Sequence, residues 1–181
     1  IYKNFGKQTS KGFTLQASYY IIRKMQERFW WQVRGSMRHG SNELNGIGNQ
    51  LDMFNTEGRE NNSTKRYYDG ADPDDIWAVR SAGIDPSTGR EIFIKKNGEL
   101  TYDFSHEDEV IIGSSRPKFE GTIGTNFSWK GLNLNILITG SYGNDIFNAS
   151  RIETEGMYDA KNQSTRVLDR WRRPGMVTSI P

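Results

Sequence analysis

Four stretches alternate apolar and polar side chains with a period of two, and they come as two pairs joined by very short connections. In Gly12–Arg23, Phe13, Leu15, Ala17, Tyr19 and Ile21 share one side, while Thr14, Gln16, Ser18 and Tyr20 share the other. In Phe29–Arg38, Phe29, Trp31, Val33, Gly35 and Met37 oppose Trp30, Gln32, Arg34, Ser36 and Arg38. In Lys118–Trp129, Phe119, Gly121, Ile123, Thr125, Phe127 and Trp129 oppose Glu120, Thr122, Asn126 and Ser128. In Leu132–Gly143, Leu132, Leu134, Ile136, Ile138 and Tyr142 oppose Asn133, Asn135, Thr139 and Ser141. Such alternation is the pattern of a β-strand with two chemically different faces. Lys24–Arg28 and Lys130–Gly131 are hairpin-length connections. The other connections, Ser41–Pro117 and Asn144–Pro181, are long and polar.

Short turns at one end and long loops at the other are the asymmetry of a transmembrane β-barrel. The strands have the length for it, since roughly 9–11 tilted residues cross a bilayer and a globular strand has about 5–6. Tyr19, Phe29, Trp31, Phe127 and Trp129 flank the short turns, and Phe13, Phe119 and Tyr142 lie toward the long loops. Two such bands match interfacial aromatic girdles. A half-buried soluble sheet also alternates, so a β-sandwich binding module for carbohydrate remains an alternative, as does a non-transporting barrel or adhesin.

Composition agrees with an all-β chain of this kind. Mean hydropathy is −0.76, and no apolar run has the roughly 20 residues of a membrane helix. Barrel strands escape that measure because half of their residues are polar. The 19 glycines and 12% aromatics against 5 prolines suit strands punctuated by turns. With 24 basic and 22 acidic residues, charge offers no case for nucleic acid. The absence of cysteine excludes disulfides and thiolate metal sites. The chain opens on Ile1 within a strand-like stretch, as expected of a piece of something longer.

Catalytic constellations are lacking: no phosphate-binding glycine loop and no nucleophile elbow occur. No catalytic residue, cofactor or metal is expected. Asp69, Asp72, Asp74 and Asp75 could offer hard oxygens to calcium, but without EF-hand spacing they read as a solvated loop. Glu107, Asp108 and Glu109 read the same way, and His39 and His106 as solvent-facing loop residues. Leu44, Ile47, Leu51 and Phe54 predict a short helix after the second strand, and Arg59–Tyr68 a mobile polar stretch. Asp85–Gly89 predicts a turn joining Ile76–Ile84 to Arg90–Lys95, and Asn97–Gly98 a second turn.

Several blocks resemble the SusC/RagA family of TonB-dependent outer-membrane transporters: Trp77–Phe93 (WAVRSAGIDPSTGREIF), Ile112–Phe119 (IGSSRPKF) followed by Phe127–Gly131 (FSWKG), Ser141–Asn148 (SYGNDIFN), Val167–Trp171 (VLDRW) and Thr178–Pro181 (TSIP). Asn4–Gly12 and the first strand pair fit more loosely. The resemblance implies an internal segment of a 22-stranded antiparallel barrel, with strands at about 12–23, 29–39, 118–129 and 132–143. Residues 41–117 and 144–181 would be extracellular loops. The family's plug and TonB box are not among these residues. By the same resemblance the protein takes up glycan or peptide oligomers with a SusD-like surface lipoprotein and with TonB, which would be reached through the N-terminal region. Thr14, Gln16, Ser18, Gln32, Arg34, Ser36, Arg38, Glu120, Thr122, Asn126, Asn133, Asn135, Thr139 and Ser141 would then face the lumen. Phe13, Leu15, Val33, Ile123, Phe127, Leu134, Ile136 and Ile138 would face outer-membrane lipid.

Overall fold

The computed structural model describes residues 6–24, 26–156 and 161–181. Strands make up 45% of the chain, and among the described residues the helices are short and none is long and apolar enough to cross a membrane. The chain divides into two compact units.

The first unit comprises residues 1–54, 67–74 and 114–145 and is built on one antiparallel sheet. Its strands are β1 (Lys7–Lys24), β2 (Phe29–Asn45), β8 (Phe119–Trp129) and β9 (Leu132–Tyr142), in the order β1-β2-β8-β9. The β8–β9 connection is the two-residue Lys130–Gly131, with φ of 48° and 102°. Positive φ at both positions matches the right-handed twist of the strands it joins.

β1 and β2 run beyond the stretches that alternation marks out, because their backbone pairing continues from Lys11↔Ser41 to Lys7↔Asn45 although the side chains turn polar. Leu44 is therefore in a strand, not a helix; its amide and carbonyl bond Ala71 and Gly70. Gly46 and Gly48, both at positive φ, end the strand, and Ile47 between them is fully buried. Helix α1 (Asp52–Glu60) starts only after these glycines. A bulge between Tyr20 and Ile22 shifts the register of β1, so Ile22, not Ile21, pairs with Trp31.

The second unit comprises residues 55–66, 75–113 and 146–181. It holds the rest of α1, β3 (Asp75–Ala78) paired with β7 (Val110–Ser114), and a small sheet of β4 (Arg80–Ile84), β5 (Glu91–Ile94) and β6 (Leu100–Thr101). Helix α2 (Ala149–Glu155) and a 3-10 turn at Thr165–Asp169 complete it. The Asp85–Gly89 turn does join an antiparallel pair, β4 and β5, and Asn97–Gly98 turns β5 into β6. The predicted strand Ile76–Ile84 is broken at Val79, and its halves join different sheets.

Charge, not only apolar packing, holds this unit. Arg66 and Glu109 are buried in this unit, as are Ile76, Val167 and Ile180. The Arg66 guanidinium donates to both Glu109 carboxylate oxygens at 2.8 and 2.7 Å. Arg59 and His106 donate to the same carboxylate at 3.4 and 2.9 Å. Burial pushes the Glu109 carboxyl up, but the bonds from Arg66, His106 and Arg59 outweigh it and hold the carboxyl below its ordinary value. Glu109 is thus not a solvated charge, and 59–68 is not simply a polar tether. His106 sits in a 3-10 turn (His106–Asp108), half exposed and bonded to Glu109, so it too has a structural partner.

Candidate functional site

The sheet of the first unit places every expected lumen residue on one face and every expected lipid residue on the other. Across β1, β2, β8 and β9 the polar face reads Thr14–Arg38–Glu120–Ser141, then Gln16–Ser36–Thr122–Thr139, then Ser18–Arg34–Gly124–Leu137, then Tyr20–Gln32–Asn126–Asn135. Asn133 follows, opposite Ser128. Antiparallel pairing in one register brings these side chains into rows because residues of equal parity share a face. Ser36 and Thr122 hydroxyls bond at 2.7 Å in the centre. A broad hollow lies over this centre, lined by Thr14, Gln16, Ser36, Arg38, Glu120, Thr122, Thr139 and Ser141. Near the short turns, Tyr20 stacks edge-on against Trp30 at 6.4 Å, with the Arg23 guanidinium over the Tyr20 ring.

The opposite face is apolar and exposed. Leu15, Tyr19, Ile123 and Ile138 each leave more than half of their surface open, at 62, 71, 70 and 65%. One end of this face carries Phe13, His39, Phe119 and Tyr142, with His39 5.7 Å from Phe13 and 5.2 Å from Phe119. His39 is therefore within β2 and not in a loop; its Nδ1 bonds the Lys118 carbonyl at 2.6 Å, which lets a polar ring sit among aromatics. The other end carries Trp31–Phe127–Leu134 and Phe29–Trp129–Leu132. Trp31 Nε1 donates to the Thr125 hydroxyl at 2.7 Å, so the polar atoms on this face are matched to one another.

These two aromatic ends are ten residue steps apart along β8, from Phe119 to Trp129. At about 3.3 Å per residue that is roughly 33 Å. A strand tilt of about 40° reduces it to about 25 Å, the height of an outer-membrane apolar band. Past the first end, the same face of β1 and β2 becomes Lys11–Ser41, Thr9–Glu43 and Lys7–Asn45. Past the other end come Lys24, Glu27, Arg28 and Lys130, where the Lys130 ammonium lies over the Trp129 ring.

The acidic residues beside the sheet are engaged by protein groups. Asp69 accepts the Ile47 and Gly48 amides at 2.7 and 3.0 Å, which lowers its carboxyl from the ordinary value. Asp72 accepts the Asn42 amide and Arg116 Nε, each at 3.0 Å, and Asp74 takes the other side of the Arg116 guanidinium. Asp75 lies in β3 of the second unit. Among the described residues no three or more ligating side chains converge on a common point.

Alternation already places Tyr20 and Trp30 on the polar side, but it does not reveal Leu137 and Arg23 as members of that face. Leu137 departs from the pattern in residue type, and only its pairing with Gly124 and Arg34 shows what it accompanies.

No family model matches the chain, and no curated protein does. Solved structures do. A structure of the RagAB peptide transporter matches with a TM-score of 0.75 at 21% identity. Structures of the RagAB peptide importer in its open-open and closed-closed states match with TM-scores of 0.70 and 0.72 at 19 and 20% identity. Each match covers 99% of this chain and 20% of the matched chain, so the sequence spans about a fifth of the length of its structural neighbours. The chain has the fold of a segment of the RagAB peptide transporter.

Proposed function

We propose that this chain is a stretch of an outer-membrane, TonB-dependent importer whose four long strands belong to a 22-stranded transmembrane barrel. The observation that carries the reading is the two-faced sheet. One face has an apolar band bounded by aromatic rows and then by charges; the other is polar over most of its length. An open sheet with an exposed apolar face of this height needs hydrocarbon against it, and its polar face needs water, a plug or a solute. The fold of the RagAB peptide transporter supports the same assignment and makes a peptide oligomer the favoured cargo over a glycan.

In this reading the turns at 24–28 and 130–131 are periplasmic, and the second unit is extracellular. A SusD-like lipoprotein is the partner proposed for that unit. It presents Leu100, Phe104, Ile111 and Ile112 with half or more of their surfaces exposed. TonB would act through the N-terminal region of the intact protein.

Spin labels in the intact protein test the membrane assignment. Lipid-soluble relaxants should reach labels at Leu15, Ile123 and Ile138 and leave those at Thr14, Thr122 and Thr139 untouched. The inverse result would mean the faces are reversed.

A further inference from the structure

One place on the polar face is built around a missing side chain. Gly124 is buried in mid-sheet although Arg34 and Leu137, its partners across the row, are exposed. A Cβ there would stand 2.8 Å from Arg34 Nε, 3.1 Å from Arg34 Cγ and 3.2 Å from Leu137 Cδ1. Arg34 therefore lies across the backbone of β8 over Gly124, and Leu137 of β9 reaches the same spot from the other side. Leu137 is the apolar residue in this row of polar ones, and an arginine's methylene stem can rest beside apolar surface while its guanidinium stays in water. The guanidinium has no ion-pair or hydrogen-bond partner among the described residues and borders a hollow lined by Gln16, Ser18, Ser36 and Thr122.

We propose that Arg34 is a fixed carboxylate-binding group of the transport path, held in place by Gly124 and Leu137. The assignment rests on the transport reading above. A guanidinium whose stem is already immobilised loses little freedom on binding, and its planar fork matches a carboxylate with two parallel hydrogen bonds. Ser36, Thr122 and Gln16 beside it can bond amide groups of an extended chain. Glu120, two rows away on the polar face and four residue steps from Gly124 along β8, opposes anions of higher charge, so a single carboxylate is the best fit. Its source on a peptide is the C-terminus or an acidic side chain.

The test is calorimetric titration of the purified intact protein with four short peptides of one length: free acid or amide at the C-terminus, each with and without one glutamate. The proteins are wild type, Arg34→Gln, Arg34→Lys and Gly124→Ala. Wild type should bind the carboxylate-bearing peptides on the order of ten-fold more tightly than the amide without glutamate. Arg34→Gln should abolish that preference, weakening the carboxylate-bearing peptides far more than the neutral one. Gly124→Ala should abolish it too, since the new methyl displaces the guanidinium, and Arg34→Lys should restore only part of it. Whether the acid end or the glutamate carries the preference identifies the carboxylate. If Arg34→Gln weakens all four peptides equally, or none of them, the proposal is wrong. If wild type binds none of them, the transport reading fails with it.

Discussion

Replacing Glu109 with glutamine should loosen the second unit from its interior outward. The carboxylate accepts from three side chains, and two of its bonds come from Arg66, a cation with only 2% of its side chain exposed. Glutamine keeps the shape but removes the charge, leaving Arg66 buried without a counterion. Breaking a buried pair from one side costs about 3–5 kcal/mol. Arg66 Nη1 also donates to the Ser63 and Lys65 carbonyls, each at 2.7 Å, which spreads part of its charge and argues for the lower end of that range. A loss of about 3 kcal/mol is roughly a hundred-fold increase in local opening. Hydrogen exchange of the β7 amides, Val110–Ser114, in the intact protein reads that opening. The double variant Arg66→Met with Glu109→Leu removes both charges and should recover most of the protection. The pH dependence has a definite sign. Glu109 has a lowered carboxyl, so its contribution is present above the ordinary glutamate value of 4.5 and fades as pH falls through the lower folded-state value. Wild-type protection, corrected for intrinsic exchange, should hold down to that range and then drop, whereas Glu109→Gln should stay low throughout. Exchange in Glu109→Gln within three-fold of wild type at neutral pH would refute the argument.

Three further outcomes follow from other parts of the chain. Ile123→Arg should destabilise the inserted protein by about 2–4 kcal/mol, and Thr122→Arg by far less, in unfolding titrations from lipid vesicles; equal costs would contradict the assignment of faces. Gly89→Ala should free the loop at Trp171, because Gly89 has φ of 74° and a methyl there would lie 2.5 Å from the indole. Trypsin cleavage after Arg170 and Arg172 should then accelerate by about ten-fold, consistent with the roughly 1–2 kcal/mol of a left-handed alanine; an unchanged rate would show that the contact does not hold the loop. Residues 1–181 expressed alone should aggregate without detergent, since β1 and β9 each present an unpaired edge; a monomer that melts cooperatively in buffer would favour a soluble module instead.

The sheet was legible because its two faces meet different surroundings. Period-two alternation survives wherever one side of a strand needs apolar contact and the other polar, and Gly12–Arg23 and Leu132–Gly143 show it almost without interruption. Legibility ended where side chains and backbone diverge. Residues 7–11 and 41–45 pair as strand with polar side chains on both faces, so nothing in the pattern marks them. The bulge after Tyr20 changes parity without changing composition. Glu109 looked like one of three solvated acids because its partners, Arg59 and Arg66, are more than forty positions away in sequence. Arg34, Gly124 and Leu137 are likewise ordinary residues individually, and only the register of three strands makes them a cradle.

The order β1-β2-β8-β9 also constrains how the protein assembles. β2 ends at Asn45 and its neighbour β8 begins at Phe119, so their pairing closes a gap of 73 intervening residues. For a flexible chain of that length the length-dependent part of closure is roughly 4 kcal/mol. β1 with β2, and β8 with β9, need only their short turns, so two hairpins can form before they find each other. The part of the second unit that lies in this gap, residues 55–66 and 75–113, carries a buried ion pair and the small sheets and can begin to fold before that meeting. Its folding shortens the chain left to search. Substitutions such as Glu109→Gln, outside every strand of the four-stranded sheet, would therefore slow the joining of the hairpins as well as loosen the finished loop.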